Sequence, residues 1–225
     1  NAQTVMLAGN QGVNNVTLLK TADETVTFTG GNVTLNAVVG VTPAGVLTLT
    51  RGILNVPTTS LVTLQATVTG GIITGAGYVR NPALATHTAH VNGRLGIFIP
   101  AGTIGRTEWP VGAPTAGGDY RPAAITFTAG NATIANTTII VSHVDATPTG
   151  TKNFPINGGV KFNDNTMTNW IGSYPGYHWV FEATTSLGAS QIFDVELNGT
   201  NLNKPLETHN DLRIIRRFDG SVTDN

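Results

Sequence analysis

An all-β fold is predicted from three features of this 225-residue chain: a strand-type phrase that recurs at a steady interval, the unusual abundance of Thr, Asn and Gly, and the lack of any sustained helical period. The phrase appears as VTFTGGNVTL (26–35), LTLTRGILNV (47–56) and ATVTGGIITG (66–75), aligned on Gly31, Gly52 and Gly71, with a looser copy, HVNGRLGIF, aligned on Gly93. The spacings are 21, 19 and 22 residues. A self-similar period of about 20 residues built from β-formers is the mark of a β-solenoid, in which each repeat is one turn of chain stacked on the last. The finer expectation is a short β-solenoid, parallel β-helix-like with coils of about 20 residues, over 1–98, followed by an antiparallel β-sandwich over 99–225. The competing arrangement is an ordinary antiparallel sandwich whose hairpins resemble one another.

The elements follow in order. Residues 1–25 hold two short strand candidates, Thr4 to Ala8 and Val16 to Leu19, around a Gly/Asn turn. Gly12 lies 19 residues before Gly31, so this segment is a degenerate first coil acting as a cap, or else a strand donated to the open edge of a neighbouring subunit. Thr4, Val5, Met6 and Leu7 are therefore the candidate subunit interface. From 26 to 98, a coil of about 20 residues at roughly 3.3 Å each has a perimeter near 60 Å, enough for two or three strands joined by corners. Glycine belongs at such corners, where φ is positive or the neighbouring coil approaches closely. Alternation turns Leu47 and Leu49 inward with Thr48 and Thr50 outward, and in the preceding copy turns Val26 and Phe28 inward.

Near Pro100 the rhythm changes. AGTIGRTEWPVGAPTAGGDYRP is rich in Gly and Pro and reads as a loop-dominated junction with one short strand. Strand candidates then run from Ala123 to Thr128, Thr133 to His143, Tyr177 to Thr184, Gln191 to Leu197 and Leu212 to Arg217, with a long loop or small hairpin over 144–170.

Charged residues make up only 11% of the chain, against roughly a quarter in ordinary domains, and threonine fills much of their place on what must be exposed pleated surface. The formal charge of −1 gives nucleic acid or an anionic membrane nothing to be steered by. No run of eighteen apolar residues is present, so no membrane-spanning helix is expected. Cysteine is absent, which removes disulfides and thiolate metal sites. The opening NAQTV fits the remainder of a cleaved secretory leader, and low charge with abundant Thr and Asn fits a secreted or cell-surface protein. Asn-x-Ser/Thr triplets begin at Asn15, Asn32, Asn131, Asn136 and Asn198, and arise easily in so Asn- and Thr-rich a chain.

Glycine-punctuated strand repeats lead into Pro110-Val111-Gly112, then Tyr120-Arg121-Pro122, an aromatic Tyr177-x-Trp179 strand and a closing Leu212-Arg213-Ile214-Ile215-Arg216-Arg217. Over roughly residues 45–218 this series resembles a region of large secreted cell-surface, adhesin-like proteins of Bacteroidota. The resemblance implies an extracellular location and a structural or adhesive role. It carries no catalytic residues to transfer.

Three constellations bear on chemistry. If 177–184 and 191–197 pair as a hairpin around Gly188, His178 lies opposite Glu196, with Glu182 and Asp194 nearby, a possible acid/base group; a solvated face with a cross-strand ion pair is the more ordinary outcome. Trp170, Tyr174, Tyr177 and Trp179 bracket a loop where exposed rings would stack on sugars, and Trp170 and Tyr174 are the candidate ligand-binding pair; Tyr177 and Trp179 have strand spacing that equally suits packing. Asn163-Asp164-Asn165 begins like an oxygen-ligand loop but lacks the later acidic ligand and glycine, His87 and His90 have the wrong spacing for one strand face, and Arg213, Arg216 and Arg217 sit beside Asp211 and Asp219 as a solvated strand would. No metal and no cofactor is expected, and neither a serine elbow nor a phosphate loop is present. The functional expectation is a non-enzymatic structural subunit of an extracellular filament or surface appendage, its partner being itself, with surface glycans as the alternative through an adhesin module.

Overall fold

The computed structural model describes residues 2–22, 24–36, 45–65, 67–69, 72–74, 77–80, 89–114, 120–133, 135–145, 161–163, 168–170, 177–187 and 191–198. Among these residues the regular structure is β-strand, with one 3-10 turn at Ala129–Asn131. The strands of the first half fall into tiers. β1 (Gln3–Met6), β2 (Gln11–Val13) and β3 (Asn15–Leu19) form the first, and β4 (Thr25–Thr29), β5 (Val33–Asn36) and β6 (Val46–Arg51) the second. The third comprises β7 (Ile53–Val56) and β8 (Val62–Gln65), a hairpin of β9 (Thr67–Thr69) and β10 (Ile72–Thr74), and β11 (Gly77–Arg80); β12 (His90–Gly93) and β13 (Leu95–Ile99) open a fourth.

Corresponding strands of successive tiers pair in parallel. One sheet runs β1-β4-β7-β12, a second contains β2-β5-β8-β13, and a third runs β3-β6-β11. Parallel pairing in register sets like residues in columns. In the second sheet Val13, Leu35, Leu64, Ile97 and Ile139 lie side by side, and so do Gln11, Val33, Val62, Leu95 and Val141. The expected alternation holds: Leu47 and Leu49 are fully buried, Thr48 and Thr50 half-buried, and Phe28 is buried beside a half-buried Val26. Residues of all three sheets share one apolar core, in which each fully buried leucine contributes roughly 1.5–3 kcal/mol.

The regular 20-residue step is not observed. Gln3 pairs with Val26, 23 residues on, Thr25 with Ile53, 28 on, and Ile53 with His90, 37 on. Gly31 and Gly93 stand between strands of the first and second sheets, whereas Gly52 joins β6 of the third sheet to β7 of the first; Gly71 lies outside the described residues. Aligning the phrase on its glycine therefore matched different corners. The glycines themselves do occupy close-packed corners. Gly93 has φ +107°, and a Cβ there would run into the Val56 carbonyl, while one on Gly31 would meet the Gly9 carbonyl of the tier before.

After the fourth tier come β14 (Gly105–Trp109), β15 (Ala123–Phe127) and β16 (Thr137–Val144), the hairpin β17 (Lys161–Asn163) and β18 (Thr168–Trp170), then β19 (His178–Ala183) and β20 (Asp194–Leu197). Pairing among them is antiparallel in β14-β15-β20 and in β17-β18. The second parallel sheet passes residue 98 without a break, because β13 pairs antiparallel with β16, and β19 follows β16 to make six strands. The chain divides into one unit of Asn1–Val144 with Trp179–Thr200 and another of Asp145–His178 with Asn201–Asn225, in which β17-β18 is the described hairpin. The expected strand over Leu212 to Arg217 lies outside the described residues.

Candidate assembly interface

The first tier is the edge of every parallel sheet. β1 ends the first, β2 the second and β3 the third, so among the described residues three strands at one end have a neighbour on one side only. β1 pairs on β4 of its own chain from Gln3 to Met6, and the Leu7 N–H donates to the Thr29 carbonyl at 2.7 Å. In a parallel strand the backbone groups of alternate residues point to opposite neighbours. Since Leu7 bonds inward to β4, the N–H and C=O of Thr4 and Met6 face the open side. Asparagines fix the corners: Asn10 Oδ1 accepts the Asn32 N–H and Asn15 Oδ1 the Val46 N–H, both at 3.0 Å.

The interface predicted at Thr4, Val5, Met6 and Leu7 thus lies on an open edge, with Val5 41% and Met6 83% exposed. Sequence reasoning missed that β2 and β3 share that edge, including Leu19 at 67% exposure. Val5, Val16 and Leu18 line a cavity of about 230 Å³ at this end, floored by Val26, Phe28 and Leu54 of later tiers. Two inward columns finish in glutamine rather than an aliphatic residue. Gln3 stands in register with Val26, Leu54, Val91 and Val111, and Gln11 with Val33, Val62 and Leu95. Parity with Val5 marks Gln3 in the sequence, but only the register shows that it ends an apolar column. Lys20 and Glu24 form an ion pair of 3.2 Å at the rim.

At the opposite end the chain itself covers two of the three sheets, while β11 ends the third among the described residues. Val111 bridges Val91 in parallel, the Gly112 N–H donates to the Val91 carbonyl at 3.0 Å, and Asn92 Nδ2 donates to the Gly112 carbonyl at 3.0 Å. Trp109 is fully buried and donates from Nε1 to the Ile139 carbonyl at 3.1 Å. His90, also fully buried, donates from Nε2 to the Ala113 carbonyl at 2.7 Å. A buried guanidinium, Arg121, approaches His143 Nε2 at 3.2 Å. Trp179 closes the group, its Nε1 donating to the Arg121 carbonyl at 2.9 Å and its ring edge-on to His143 at 5.8 Å.

The acid/base group does not assemble as the hairpin predicted. β19 borders β16 while β20 pairs with β15, so His178 and Glu196 stand on different sheets. The hairpin failed because each strand found a longer partner elsewhere: β19 lies on the eight-residue β16 and β20 on the five-residue β15. Glu182 bonds Arg94 at 2.8 Å, and Glu196 bonds Arg106 at 3.0 and 3.1 Å, with Glu108 2.7 Å from the same guanidinium. Glu196 first, then Glu108, holds the Arg106 proton more tightly than in free arginine. Asp194 is exposed at the start of β20.

Of the aromatic group, Tyr177 is buried and Trp179 half-buried, as packing residues are; Tyr174 and the side chain of Trp170 lie outside the described residues. Also outside them are Asp164, Asn165, His87, Arg213, Arg216 and Arg217. Among the described residues no three His, Asp or Glu side chains gather as metal ligands, and no helix is long and apolar enough to cross a membrane. Comparison with protein-family models, curated proteins and solved structures finds no match to this chain.

Proposed function

We propose that this protein is a non-enzymatic structural subunit of an extracellular filament or surface appendage, joined to its neighbour through the open β edges of its first tier. The three parallel sheets are read as the faces of a short solenoid, and the antiparallel strands after it as the cover of its far end. The observation that carries the proposal is the concurrence of three edge strands at one end with no ionisable residue or proline in any of them. Free-standing proteins blunt such edges with lysine, proline or bulges, because unpaired N–H and C=O groups recruit further strands. β3 has one such irregularity, between Leu18 and Leu19, whereas β1 and β2 run in regular register and Met6 stands exposed. The resemblance to secreted Bacteroidota surface proteins supports the same location and role. A non-enzymatic reading is supported by Glu182 and Glu196, the carboxylates nearest to an acid/base arrangement, each being held by an arginine, Arg94 between β12 and β13 and Arg106 on β14.

The test places a charge on the open side of β1. Thr4→Lys with Met6→Lys adds two cations next to outward-facing backbone groups and touches nothing in the core. Light scattering and electron microscopy of the parent protein should show assemblies larger than 23.4 kDa, and the variant should remain at that mass with an unchanged circular dichroism spectrum. Assemblies that survive both lysines would rule out β1 as the joint.

A further inference from the structure

The same edge, on the reading that it is an assembly surface, also specifies the geometry of the joint. We infer that the first tier pairs with the first tier of a second copy in a two-fold, end-to-end contact. Three observations carry this. First, the far end offers one strand edge where the first tier offers three: residues 110–112 already pair on β12 and β16 already lies on β13, and only β11 ends its sheet there among the described residues. A head-to-tail joint would meet used edges on two of its three sheets.

Second, the twelve residues of β1, β2 and β3 carry no charge, so two copies of these strands meet without like-charge repulsion between them. Third, Gln3 and Gln11 terminate apolar columns. A carboxamide has donors and an acceptor and is complementary to another carboxamide, whereas an aliphatic column laid over it would strand those groups. An isologous contact sets residue i against j and j against i, which supplies an amide for each amide. The surrounding Val5, Val13, Val16 and Leu18 then close over one another, removing the apolar mouth of the cavity from water.

Such a joint closes on two copies. Longer assembly then needs a second contact elsewhere on the subunit.

Charge swapping tests the symmetry. The Gln3→Glu/Gln11→Glu protein and the Gln3→Lys/Gln11→Lys protein should each sediment as monomers, because a two-fold contact sets like charges together. An equimolar mixture of the two should form a 1:1 dimer of about twice 23.4 kDa, while the parent protein forms that dimer unmixed. Circular dichroism and melting temperature establish that both variants are folded, and both positions are exposed at the sheet edge. A mixture that stays monomeric while the parent is dimeric overturns the two-fold joint. Growth of the parent beyond a dimer that Thr4→Lys with Met6→Lys reduces directly to monomer, with no residual dimer through a second contact, overturns it as well but leaves the edge as the assembly surface. A parent protein monomeric at every concentration overturns both readings.

Discussion

The two ends of the parallel stack are made from the same kinds of residue and finished differently. At the far end, Val111 extends the column of Leu54 and Val91, Trp109 and His90 are buried beneath the junction, and β16 extends the second sheet with Ile139 and Val141 in register. At the near end the columns simply stop, in Gln3, Val5, Gln11, Val13, Val16 and Leu18. The edges of the antiparallel strands differ again: β14, β19 and β20 carry Arg106 and Glu108, Glu182, and Asp194 and Glu196. The contrast teaches that this chain has the means to cover or charge an edge, and applies neither to its first tier.

The largest expected difference between the ends is at their corner glycines. Gly93→Val drives a Cβ into the Val56 carbonyl at a φ of +107°, where no flexible side chain can give way, and loss of the folded state in circular dichroism is the expected outcome. The same change at Gly9 meets no atom within 4 Å and has only its φ of +87° to oppose it, so a cost of about 1–3 kcal/mol is expected in urea melts. Equal losses at the two sites would mean that the first tier is packed against something after all.

A cavity series sharpens the same point along one column. Leu64 is fully buried between Leu35 and Ile97, and Leu64→Ala should cost about 2–5 kcal/mol. Val13, at the open end of that column, has a neighbour on one side, and Val13→Ala should cost less than about 1 kcal/mol in the monomer. Stability measured against protein concentration separates the two states: a Val13→Ala penalty that grows as the protein is concentrated places this side chain in a joint.

The difference in legibility between the two halves has a physical cause. Alternation within a strand is local, so the inward set Leu47, Leu49 and Phe28 was readable, as were the corner glycines Gly52 and Gly93. Which corner each glycine turns is decided by pairing partners 23 to 37 residues away, and no short phrase encodes that distance. The expected hairpin around Gly188 failed for the same reason. Proximity in sequence favoured it, but β16 and β15 supplied partners for β19 and β20 at larger separation. β1 was recognisable as an edge candidate from its place at the start of the repeat series. Gln3 and Gln11 were not, because an isolated glutamine in a polar segment has no signal until the register sets it over a column of aliphatic residues.

The edges give the next contrast. Val195 on β20 is 42% exposed, close to Val5 on β1 at 41%, yet it is flanked by Asp194 and Glu196. A lysine at Val195 should leave the assembly state unchanged, since that strand already carries charges that discourage pairing, whereas a lysine at Val5 should reduce the protein to monomer in sedimentation. Loss of assembly on Val195→Lys would move the joint to the antiparallel sheet.

The smallest effect tests whether those charges serve stability at all. Arg106 bonds Glu196 across β14-β15-β20 and Glu108 on its own strand, and these two carboxylates hold its proton, so it remains a cation throughout the working pH range. Its side chain is 42% exposed, and exposed ion pairs contribute about 0–1 kcal/mol because solvent screens them and two long side chains must be ordered. Arg106→Ala should therefore shift the urea midpoint only slightly, with the shift shrinking further as salt is added. What remains on the sheet is Glu108, Asp194 and Glu196, a more acidic edge than before, so the variant should recruit no new partner at that sheet. A large loss of stability would show that the pair binds the sheet together; a small one, with the assembly state unchanged, leaves repulsion of foreign strands as the work these charges do, and their absence from β1, β2 and β3 as the reason that end stays open to a partner.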